Sequence, residues 1–112
     1  VDKPTPDDSA ENGARAVLWK LGRDLEKTNR PASVHVNDLS QGREPPLAGL
    51  GLGDLRERFI ALQVAAIAAG RVPLEYFDAT VPERALAIQV LLAEIERIGG
   101  RIDELAPPER LH

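Results

Sequence analysis

The chain has no cysteine and no methionine, one tryptophan, one tyrosine, two phenylalanines and two histidines. Without cysteine there are no disulfides, thiolate metal sites or thiol nucleophiles. That absence suits a reducing compartment, and a cytoplasmic location is expected. His35 and His112 have no companion ligand at metal-binding spacing, so neither a metal nor another cofactor is expected. No run approaches the roughly 20 apolar residues that span a bilayer. The longest, Phe59–Ala69, is interrupted by Gln63 and ends at Gly70. The opening residues do not read as a secretory leader, and no membrane partner is expected.

Basic excess is also missing. The formal net charge is −4 over 112 residues, the wrong sign for binding nucleic acid over the whole surface. Length and composition fit one domain at most. Residues 1–8 (VDKPTPDD) read as a flexible segment, 9–106 as a single helical domain and 107–112 as a tail.

What is present is helical periodicity. Ile88, Leu91, Ile95, Ile98, Ile102 and Leu105 recur at alternating steps of three and four, an apolar seam that another helix must cover. Thr80 and Glu83 form a capping box before it, with Pro82 in the first turn. Gly99–Gly100 predicts a break near Ile98, followed by a short turn at 101–105. An earlier helix, Asp54–Gly70, is apolar almost all round and reads as the centre of a bundle. The first helix, Ser9–Thr28, places Ala14, Val17, Leu18, Leu21 and Leu25 on one face; Gly22 marks either a weak point or a close helix approach. Pro31 is read as its end.

Between these helices, residues 32–38 (ASVHVND) alternate like a strand without a partner and read as extended loop. Residues 39–53 add two prolines and four glycines, with Leu47, Leu50 and Leu52 folding back over the helices. Gly49, Gly51 and Gly53 match neither a dinucleotide fingerprint nor a P-loop and read as a connector. The residues after Pro73 form one turn of helix. The fold class is therefore all-α: three helices, a long Pro/Gly-rich loop between the first two, and a short C-terminal turn. The predicted core comprises Val17, Leu18, Leu21, Leu25, Phe59, Leu62, Ala66, Ile67, Leu86, Ile88, Leu91, Leu92 and Ile95.

No nucleophile, metal set or cofactor loop emerges. His35 can pair with Asp38, but no Ser or Thr is tied to it by a catalytic motif. The expectation is a non-enzymatic protein–protein interaction module, an adaptor or small accessory or assembly subunit. Two surfaces are expected to bind. One is the stripe of Trp19, Lys20, Arg23, Lys27 and Arg30, where Trp beside Arg has hot-spot chemistry. The other is the distal seam Ile98, Ile102 and Leu105, an apolar patch suited to a homodimer or a docked partner. The alternative is nucleic-acid binding through the basic stripe, where Trp19 stacks on a base while cations hold phosphate. Residues 73–87 (PLEYFDATVPERALA) are similar to the aromatic-then-Thr-Pro-Glu segment of phage tail assembly chaperones. The likeness amounts to a helix cap after an aromatic turn and assigns no family.

Overall fold

A computed structural model describes residues 6–106. They form five helices: α1 Pro6–Leu25, α2 Arg30–Ser40, α3 Leu52–Arg71, α4 Leu74–Phe77 and α5 Val81–Leu105. No strand occurs among the described residues. Of the expected flexible segment, residues 6–8 open α1; residues 1–5 and the tail 107–112 lie outside the described residues.

The all-α class holds, but the three-helix count does not. Segment 32–38 is helical because its ends are built for a helix. Asn29 accepts a hydrogen bond from the Ala32 backbone N–H at 3.1 Å, satisfying one of the orphan donors of a first turn. Pro31 occupies that first turn, where it has no N–H to lose. It opens α2 instead of closing α1. Ala32, Ser33, Val36 and Ser40 then turn inward and Val34 outward. The connection left between α2 and α3 spans only residues 41–51, and Leu47 is buried within it.

α1 and α2 fold as a tight antiparallel pair. A Cβ on Gly22 would lie 3.4 Å from the Ser33 carbonyl oxygen and the Asn37 nitrogen. The Ser33 hydroxyl donates to the Gly22 carbonyl at 2.6 Å. Gly22 therefore marks a close helix approach.

The centre of the bundle is α5, not α3. α5 packs extensively on both α1 and α3, which scarcely touch one another. Its start is fixed by the Thr80–Glu83 capping box: Thr80 N–H donates to Glu83 Oε1 at 2.7 Å and Glu83 N–H to Thr80 Oγ1 at 3.4 Å. α3 begins at Leu52, two residues before the expected start at Asp54, and its N-cap Gly51 supplies no side-chain cap.

The predicted break at Gly99–Gly100 is absent, and α5 runs unbroken to Leu105. Gly99 faces the Phe59 ring so closely that a Cβ there would lie 3.2 Å from it. The missing side chain serves the α3–α5 contact and does not end the helix.

Leu18, Leu55, Leu62, Leu91, Ile98, Val17 and Val36 form the fully enclosed centre. Of the predicted core residues, two are exposed: Ile67 is 56% exposed and Leu92 50%. α3 is apolar all round because it carries two seams. Leu55, Phe59, Leu62, Ala66 and Ala69 face inward, and Ile60, Val64 and Ile67 face outward. No helix of the described residues is long and apolar enough to cross a membrane.

Candidate functional site

The interior holds one group of ionisable side chains. His35 on α2 is fully buried and Glu94 on α5 nearly so. His35 Nε2 lies 2.5 Å from Glu94 Oε2, and Arg58 Nη1 on α3 lies 2.8 Å from His35 Nδ1. A guanidinium offers only donors, so Nδ1 accepts and Nε2 carries the hydrogen donated to Glu94. Arg97, one turn along α5, grips the same carboxylate in a fork, Nε to Oε1 at 2.8 Å and Nη2 to Oε2 at 2.6 Å. Its Nη2 also donates to the Pro45 carbonyl at 2.5 Å, and Nη1 lies 3.3 Å from Glu44.

Burial pushes the Glu94 carboxyl upward, but the hydrogen bonds from His35 and Arg97 outweigh that effect and bring it down to about 2. Both imidazole nitrogens are occupied and both carboxylate oxygens hold donors. Oε2 accepts two hydrogen bonds and Oε1 one, and a carboxyl held near 2 is a weak base for a substrate proton. The cluster ties α2, α3, α5 and the 41–51 connection together. The expected His35–Asp38 pair does not form; Asp38 instead accepts from Arg43 at 3.3 Å.

Above this cluster an open cleft of about 500 Å³ lies between α1, the end of α2 and α5. Ala14, Leu18, Leu39, Leu86 and Val90 give it an apolar lining. The three arginines on its walls already hold carboxylates: Arg15 with Glu11 at 2.8 Å, Arg43 with Asp38 at 3.3 Å, Arg97 with Glu44 at 3.3 Å. An anionic ligand would have to displace these pairs.

A second cleft, about 350 Å³, separates the outer sides of α1 and α2. Trp19, Arg23 and Arg30 line it together with Val34. Trp19 is 47% exposed and Val34 54%, and the Arg23 guanidinium sits 5.0 Å from the centre of a Trp19 ring. That stacking holds the indole in place while leaving part of its surface bare.

The structure thus unites Trp19, Arg23 and Arg30 and separates the rest of the expected stripe. Lys20 lies over the Tyr76 ring at 4.7 Å. The Tyr76 hydroxyl donates to Asp24 at 2.8 Å, and that hydrogen bond raises the phenol above its ordinary value. Lys27 is exposed in the turn after α1. Of the distal seam, Ile98 is fully buried, Ile102 packs on the core and only Leu105 is exposed. The expected apolar patch there is covered by α3, which reaches this end of α5 through Phe59 at Gly99.

Glu94, Arg97, Arg58 and Val34 were not anticipated. A signal for Glu94 exists: it falls three residues after Leu91 and four before Ile98, inside the apolar stripe, where a carboxylate requires a buried partner. Nothing local identifies His35 as that partner, since 59 positions separate the two. Among the described residues no three metal-ligating side chains converge. Compared with family models, with curated proteins and with solved structures, the chain gives no match.

Proposed function

We propose that this chain is a non-enzymatic protein–protein interaction module, an adaptor or small accessory subunit, which binds its partner through the α1–α2 cleft. The observation that supports this reading is the half-exposed Trp19, held by Arg23 at the mouth of a concave site facing Val34. Tryptophan and arginine beside a pocket are the residue types that dominate binding energy at interfaces. The His35–Glu94 cluster is a poor rival site, since both ring nitrogens have partners and the carboxyl is held near 2. Against nucleic acid stands the division of the basic stripe: Lys20 is engaged by Tyr76, and Glu26 lines the same cleft as Arg23 and Arg30.

Trp19→Ala and Val34→Asp are surface changes, and both variants are expected to keep the helical signal and melting temperature of the wild type. Affinity capture from the native host should retain a discrete protein on the wild type and lose it on both variants. Oligonucleotide binding at low salt that falls steeply as salt rises would instead favour the nucleic-acid alternative.

A further inference from the structure

Among the described residues nothing covers the outward seam of α3, and the α1–α2 cleft does not use it. Glu57, Ile60, Val64, Ile67 and Arg71 follow one another at steps of three, four, three and four, and all five are exposed. Ile60 is 60% exposed, and Val64 and Ile67 are each 56% exposed. The seam is apolar in the middle, acidic at one end and basic at the other. Neither Glu57 nor Arg71 has an ion-pair partner among the described residues.

From this arrangement we infer that α3 pairs antiparallel with α3 of a second copy of the chain, about a two-fold axis beside Val64. The charges select both the occupant and its direction. With Val64 near its own symmetry mate, Ile60 of one copy meets Ile67 of the other, and each Glu57 comes beside an Arg71. A parallel pairing would set Glu57 against Glu57 and Arg71 against Arg71. Self-complementarity of this kind is what a two-fold interface requires. A shallow apolar groove of about 300 Å³, lined by Leu25, Ala61, Ile60 and Val64, borders the seam. It can receive the Ile67 side chain of the second copy. With three apolar side chains from each copy the interface is small, and association on the order of micromolar or weaker is expected. This face is separate from the Trp19 cleft, so the pairing stands or falls independently of the proposed partner site.

Sedimentation equilibrium of the full chain, from low to high micromolar concentration, tests it. The wild type should show a monomer–dimer equilibrium that weakens with salt. Ile60→Glu/Ile67→Glu should be monomeric with an unchanged melting profile. Glu57→Arg alone and Arg71→Glu alone should each weaken association about tenfold by placing like charges together. The double swap Glu57→Arg/Arg71→Glu should restore it. A wild type that stays monomeric at high micromolar concentration overturns the inference. So does a double swap no better than the single swaps, or self-association that survives Ile60→Glu/Ile67→Glu.

Discussion

Two helices carry apolar side chains at alternating steps of three and four, and the two seams meet opposite fates. On α5, Leu91 and Ile98 are fully enclosed, with Ile95 beside them and Ile88 and Ile102 packed on the core. On the outer side of α3, Ile60, Val64 and Ile67 remain more than half exposed. The pattern is the same in both, so periodicity identifies a face that can be covered without saying what covers it. The difference comes from the neighbours. α5 lies between α1 and α3, whereas α3 spends its inward seam on α5 and none of the described helices covers its other side.

Substitution should separate the two seams most sharply where a charge is introduced. Ile98→Asp is expected to abolish cooperative folding, because an unpaired carboxylate in the enclosed core cannot be accommodated. Ile67→Asp should change stability by no more than about 0.5 kcal/mol, as surface changes usually do. Urea unfolding followed by circular dichroism reads both. Equal losses at the two sites would remove the contrast between the seams.

Next in size is the ionic cluster beside the buried seam. Glu94→Leu leaves the buried His35 ring hydrogen without its acceptor and takes the carboxylate from Arg97, and should cost about 3–5 kcal/mol, the usual penalty for breaking a buried pair from one side. The pH dependence has a definite sign. The Glu94 carboxyl is held near 2 against an ordinary 4.5. Its contribution is therefore complete above about 4.5 and is lost as pH falls toward 2. Stability measured across that window should decline in the wild type, and Glu94→Gln should lack this part of the decline.

The smallest effects lie at the helix starts. Thr80→Ala removes half of the α5 capping box and should cost about 1 kcal/mol. α3 has an uncapped start at Gly51, whose φ of −74° suits a serine. Gly51→Ser should stabilise by only a few tenths of a kcal/mol. Thermal melts of the two variants would show whether α5 loses more with its cap than α3 gains from acquiring one.

Much of this fold was legible in the sequence. The α1 face, the capping box at Thr80 and the turn after Pro73 all depend on local spacing, and all form. The misreadings share a cause: a residue with two structural uses was given the commoner one. Pro31 ends a helix or begins one, and the Asn29 cap decides the matter. Gly99 stops a helix or admits a neighbour, and the Phe59 ring decides that. Ile67 on an all-apolar helix looks central until the number of neighbours is known. For the candidate site, Trp19, Arg23 and Arg30 could be placed together by the α1 pattern and chain proximity, while Val34 could not while its segment was read as extended. The His35–Glu94 contact spans 59 positions and depends on tertiary structure alone.

That long-range contact also bears on how many ways the bundle can assemble. A seam of isoleucines and leucines repeats almost identically along α5, and an apolar helix can slide by one turn with little change in the side chains it buries. A slide of one turn shifts every residue by about 5.4 Å. Glu94 would then leave the His35 ring, and Arg97 would leave the Pro45 carbonyl. Each misplaced register would bury a carboxylate or an imidazole without its match. The cluster thus acts on the wrong structures more than on the right one, as a single polar residue does in an otherwise uniform coiled-coil seam. Replacing His35, Arg58, Glu94 and Arg97 together by apolar residues of similar volume should leave a helical chain whose α5 no longer has one defined position, seen as broadened and doubled side-chain resonances in its NMR spectrum.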